Sequence, residues 1–184
     1  MAGGADVSLL ENMPLFQGIE LDCIKRLAAA ATLRAYPPKT QLFEEGETPE
    51  ALHIVLSGVA EAFTRIGEKE CSILILSPSD AFMPASALVN EPYLLSARTM
   101  KRSKLLLLPA DVVRDEMARS TKLACRLAHL LAGQTRVLLR HIKDVKTRSA
   151  PQRLAAYLLR IAEESESRNS EVLISKQTLA SRLG

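Results

Sequence analysis

The chain has little cysteine, no long apolar run and no catalytic signature, and each shortage removes a class of function. Its 184 residues include three cysteines, Cys23, Cys71 and Cys125. They form no CxxC pair and no paired framework, which argues for a reducing, cytoplasmic setting. No stretch approaches the roughly 18 apolar residues needed to span a bilayer, so no membrane partner is expected. The N-terminal MAGGADVSLLENM lacks the apolar core of a secretion signal. GxSxG, HExxH and P-loop patterns are absent, as is any His/Cys/Asp group at chemical spacing. The chain is therefore not expected to be an enzyme, and no metal site is expected. Neither charge dominates: 24 Lys and Arg face 21 Asp and Glu, for a net charge of +3. That balance is too mild to imply a nucleic-acid partner.

What the chain does have is a long helical pattern. Ser120 to Lys146 contains no proline and a single glycine, Gly133. Its apolar spacing predicts one helix of more than seven turns. A helix that long exceeds what one small domain usually buries. Leu127, Leu131, Gln134, Leu138, His141 and Val145 thread on a 4-3 repeat, the pattern of a short two-helix seam. The same spacing also suits a helix packed on its own domain. In a seam, Gln134 is expected to set register. His141 either does the same, making the dimer pH-linked, or is solvated where the seam frays. From Arg136 to Arg160 there are seven Lys or Arg against one acid, Asp144, which fits DNA contact beside the seam and also fits a solvated helix face.

The regions before and after this helix differ. Residues 7–30 read as two short helices, VSLLENM, stopped by Pro14, and LDCIKRLAAAA. From Leu33 the period changes to short β-favouring runs cut by turn signals. Pro37-Pro38, Gly46 with Pro49, Gly58, Gly67-Glu68, Pro78-Ser79-Asp80 and Lys101-Arg102 are the breaks. Many short strands at this spacing predict a closed all-β sandwich or barrel. Pro109-Ala110-Asp111 opens a helix. After the long helix, Ser149 and Gln152 form a capping-box pattern ahead of RLAAYLLRIAEE, with Leu154, Tyr157, Leu158 and Ile161 on one face. A polar loop, SESRNS, a short strand, EVLI, and a last helix capped by Ser175 follow.

Four stretches in this order carry a family resemblance. They are LENMPLFQGIELDCIKRLA, FEEGETPEALHIVLSGVAEAF with its turn glycines Gly46 and Gly58, SAPQRLAAYLLRIA, and ISKQTLASRLG. Together they resemble the Crp/Fnr superfamily of bacterial transcription regulators. The resemblance implies an α+β fold with an N-terminal, jelly-roll-like β-roll sensor, a long dimerisation helix and a partial winged helix-turn-helix. The corresponding divisions are residues 1–119, 120–147 and 148–184. It implies a homodimer, DNA as partner, and RNA polymerase as a further partner if the protein activates transcription. Ala180 falls where the first two helices of the DNA reader pack closely, and Gly184 falls at its turn. The recognition helix that would follow is not in the sequence. Ser175, Lys176, Gln177 and Arg182 are the expected DNA backbone contacts.

The resemblance also sets what a cyclic-nucleotide sensor needs. The family's phosphate cassette reads G-D-x-[FI]-G-E-L, with an Arg before Ser/Thr-Ala further on. Here Asp80 and Phe82 match, Met83-Pro84 replaces Gly-Glu, and Leu95 stands in the Arg position before Ser96-Ala97. Arg98 is three residues on, so in a strand it points to the other face. Pro84 removes an N–H donor. Cyclic AMP is not expected to bind. An iron–sulfur cluster, which in this family needs four cysteines, is not expected either. The cofactor is otherwise unassigned. Haem stays open, with His53, His129 and Met83 as candidates, though nothing in their spacing is diagnostic. Phe82, Met83, Leu88, Leu95, Ser96 and Arg98 are the candidate lining of any pocket that remains; it would suit an apolar ligand, or it has filled in. The function expected is a homodimeric DNA-binding transcription regulator. The competing reading is a cyclic-nucleotide-binding-like signalling module that acts on a partner protein without DNA.

Overall fold

The computed structural model describes residues 5–82 and 84–164, together with Leu179. The chain opens with a helical cap. The Asp6 carboxylate accepts a hydrogen bond from the Ser8 N–H at 3.0 Å and caps α1, Val7–Glu11. Pro14 ends this run and begins a single 3-10 turn, Pro14–Phe16. Helix α2, Leu21–Ala30, buries Cys23, Ile24, Leu27 and Ala28, which its 3.6-residue period places on one face. Arg26 on its other side forks onto the buried carboxylate of Glu116, at 2.6 and 2.8 Å. That hydrogen bond holds the Glu116 carboxyl below its ordinary value. Burial, reinforced by the neighbouring Glu116, pushes the Cys23 thiol up to about 12, so it is inert.

Eight strands follow: β1 Thr32–Tyr36, β2 Gln41–Phe43, β3 Ala51–Ser57, β4 Ala60–Ile66, β5 Lys69–Leu76, β6 Ala81–Phe82, β7 Ser96–Thr99 and β8 Ser103–Pro109. They form two antiparallel four-stranded sheets, ordered β1-β8-β3-β6 and β2-β7-β4-β5. Strands β3 and β8 are covered on both faces. Leu52, Ile54, Leu106 and Leu108 pack against the helices, whereas Val55 and Leu105 face the second sheet. Double coverage is why LHIVL and LLLL read as continuous apolar runs rather than alternating ones. At the β3–β4 bend Gly58 has φ +90°, and a Cβ there would collide with the Arg102 carbonyl and with Ser103. Only glycine fits that approach.

Pro109 precedes α4, Ala110–Arg119. The Ser120 hydroxyl then accepts the Leu123 N–H at 3.2 Å and caps α5, Thr121–Thr147, the long helix expected from the sequence. Its first half is docked: Leu123 and Leu127 are buried among the cap helices and the outer face of the first sheet, with Leu130 and Leu131 packed beside them. Its second half leaves Val137, Leu138, Leu139, Ile142 and Val145 between 37% and 60% exposed. In the junction Ser149 donates its N–H to the Gln152 side-chain oxygen at 2.9 Å, half of the expected capping box, and α6 runs from Ala150 to Glu164. The architecture is the α+β arrangement read from the sequence. The expected loop SESRNS, strand EVLI and, apart from Leu179, the last helix lie outside the described residues, as do Ser175, Lys176, Gln177 and Arg182. Among the described residues no helix is long and apolar enough to cross a membrane.

Candidate sensor chamber and its link to the long helix

The cassette region keeps a strand–helix–strand shape without the cassette's chemistry. After β5, the Asp80 carboxylate accepts the Ser77 N–H at 2.8 Å and closes a turn in which Ser79 has φ +77°. The turn is stitched to β3: the Val55 N–H donates to the Asp80 carbonyl at 2.9 Å and the Ser79 N–H to the Val55 carbonyl at 2.8 Å. Strand β6 leads into α3, Pro84–Val89, which begins on a proline and so has one N–H fewer at its start. Asn90, at φ +59°, ends it in the left-handed conformation common after helices.

The expected pocket residues separate into three groups. Phe82 and Leu95 lie in the interior of the roll, Phe82 buried and Leu95 packed against it. The Ser96 hydroxyl accepts the Glu45 N–H at 3.0 Å and ties β7 to the β2–β3 loop. Arg98 and Leu88 lie elsewhere. Arg98 points away from the interior, as strand alternation requires. Its guanidinium bonds to Glu61 at 2.7 Å and Glu70 at 2.7 Å, and lies 4.2 Å from the Phe63 ring centroid. The Arg98 hydrogen bond, followed by that of Arg65, holds the Glu70 carboxyl below its ordinary value. Leu88 belongs to the core between the first sheet and the helices, where α3 packs against α4 and β3 rather than into the roll. Met83 lies outside the described residues.

The interior itself is aromatic. Phe43 and Tyr93 are stacked, centroids 3.8 Å apart and planes 18° apart. Phe82 meets Phe43 edge-on at 5.9 Å. The His53 ring lies 5.4 Å from Phe43, with its Nδ1 3.1 Å from the Ala51 carbonyl. Burial pushes the His53 pKa down to about 4, so this imidazole is neutral at pH 7. Among the described residues, no group of three or more His, Cys, Asp or Glu is gathered that could hold a metal ion. His129 sits apart from this interior, exposed on α5, its Nδ1 2.8 Å from the Cys125 carbonyl one turn earlier.

Residues 33–120 match the family model of the cyclic nucleotide-binding domain. That stretch is similar to a cyclic nucleotide-binding domain. The curated proteins it is similar to include Crp- and FixK-like bacterial regulators, consistent with the Crp/Fnr superfamily, and, over 53–58% of the chain, potassium channels. One is the CRP-like cAMP-activated global transcriptional regulator of Mycobacterium tuberculosis, 27% identical over 156 residues, covering 84% of this chain and 70% of that protein. The cyclic AMP receptor protein of Thermus thermophilus is 26% identical over 156 residues, covering 84% and 72%. Among solved structures, FixK2 of Bradyrhizobium japonicum has the same fold, with a TM-score of 0.75 at 17% identity over 83% of this chain and 77% of that one.

The domain is tied to α5 at one polar point. The Gln134 side-chain amide donates to the Ala81 carbonyl of β6 at 2.9 Å. This places part of the 4-3 line read from the sequence on the chain's own domain. Leu127 is a core residue, 1% exposed, and Leu131 and Gln134 also contact this chain's own domain. Leu138 and Val145 are exposed, and His141 is half-buried. The roll interior also holds residues that the sequence reading passed over, Phe43 and Tyr93. Scarcity was the available signal. The chain has four Phe and three Tyr, and Phe43, Phe82 and Tyr93 are together in one buried cluster.

Proposed function

We propose that the chain is a homodimeric, DNA-binding transcription regulator, divided into a sensor roll (residues 1–119), a dimerisation helix (120–147) and the start of a DNA reader (148–184). The observation that carries this reading is the division of α5 into a docked half and a half with exposed apolar side chains. Leu138, Ile142 and Val145 follow one another at 4-3 spacing along the exposed half. A second copy of the same helix is the partner that fits such a line. The regulator relatives support the same reading. A match that covers 84% of this chain cannot end before α5 does, wherever it starts. The similarity therefore includes the helix as well as the roll, which favours a regulator over a roll that acts on a protein partner alone.

The mechanism is a shift between two packings of paired α5 helices, which reorients two DNA readers toward half-sites about one turn of DNA apart. RNA polymerase is the further partner if the regulator activates. The cassette is proposed not to bind cyclic AMP: Leu95 replaces the phosphate's arginine, Pro84 removes a donor, and Arg98 is engaged with Glu61 and Glu70. Ser175, Lys176, Gln177 and Arg182 are the proposed backbone contacts. Fluorescence anisotropy of the full-length protein with duplex DNA across a salt series tests the assignment. Lys176→Ala weakens binding at every sequence and lowers the salt slope by about one. An unchanged slope removes Lys176 from the interface, and no DNA binding by the unsubstituted protein overturns the function.

A further inference from the structure

The aromatic interior of the roll is supplied by the chain itself, and one ring is held there as a ligand would be. Tyr93 belongs to the loop between α3 and β7, two residues before Leu95. It is 3% exposed, stacked on Phe43 at 3.8 Å, with Phe82 edge-on to the same ring. Its hydroxyl donates to the Ala51 carbonyl at 3.2 Å. Two main-chain bonds close the loop around it: the Tyr93 N–H donates to the Glu47 carbonyl at 2.9 Å, and the Gly46 N–H to the Tyr93 carbonyl at 2.8 Å. Face stacking, one directional hydrogen bond and a fastened loop are what a site for a planar ligand provides.

We infer that Tyr93 is the resident occupant of the roll's ligand chamber, so that this sensor is closed to free cyclic nucleotide by its own side chain. A planar ligand taking that place has to expel the Tyr93 ring from Phe43 and undo the bonds that fasten residues 91–95 to the β2–β3 loop. The inference concerns the roll alone and does not depend on DNA binding, so a failure of either leaves the other standing.

Thermal melting and calorimetric titration of the intact protein test it. Tyr93→Ala opens a cavity that matches phenol in size and removes the hydroxyl donor from the Ala51 carbonyl, leaving His53 Nδ1 as its side-chain contact. Phenol should raise the melting temperature of this variant saturably, benzene should raise it less for want of the hydroxyl, and neither should move the wild type. Cyclic AMP and cyclic GMP should give no binding heat and no melting shift with the wild type or with Tyr93→Phe, which keeps the stack and loses only the hydroxyl. Nucleotide binding by either protein overturns the inference. So does phenol raising wild type and Tyr93→Ala equally, or raising neither. If Tyr93→Ala does not fold, the nucleotide titrations of wild type and Tyr93→Phe decide alone.

Discussion

His53 shows how one buried side chain can set a pH dependence. Its ring is enclosed by Phe43 and Phe82, and burial holds its pKa at about 4 against an ordinary 6.5. The folded state therefore favours the neutral ring, whereas the unfolded chain takes up a proton below pH 6.5. The stabilisation is fully present above 6.5 and is lost as the pH falls toward 4. Urea unfolding at pH 7.5 and pH 5 should show a loss of about 2 kcal/mol attributable to this group. In His53→Leu that share of the pH dependence should vanish, and an unchanged difference between the two pH values would show that His53 is not the cause. The sequence offered His53 as a candidate haem ligand, and the aromatic enclosure that makes its ring neutral was not legible there. The destination of Arg98 was legible, from strand alternation, but its partners Glu61 and Glu70 were not. They come from neighbouring strands whose register depends on a bulge between Ala62 and Phe63.

At the scale of elements, most strands were legible because proline, glycine or aspartate bounds them, and β7 and β8 because Lys101-Arg102 parts them. Two elements were not: β6 has two residues and α3 six, too short for any period to emerge. Helix α5 is the instructive case. Its length and start were clear from composition and from Ser120, but which part of its apolar line faces a partner was not. A 4-3 repeat serves equally to pack a helix on its own domain and on a second helix. Leu127, buried beside Leu123 and Ile24, is on the first side of that division, and Leu138 and Val145 are on the second. Leu127→Ala should therefore cost about 2–5 kcal/mol of folding stability. The loss should show in denaturant unfolding without dependence on protein concentration. A loss that disappears at high concentration would return Leu127 to the seam.

At the scale of the molecule, the Gln134–Ala81 bond lies where the docked half of α5 gives way to the free half, and it ties that point to the strand that opens the cassette region. In the proposed mechanism this bond carries a movement of β6 to the base of the exposed apolar line. The whole account turns on that pair. Sedimentation equilibrium across the micromolar range, on the wild type and on Ile142→Glu, tests it most directly. Two copies of Ile142→Glu would bring like charges together in an apolar seam. The account predicts twice the mass of one chain for the wild type and a single-chain mass for the folded variant. A wild type that stays monomeric throughout, or a variant that dimerises as well as the wild type, would contradict it.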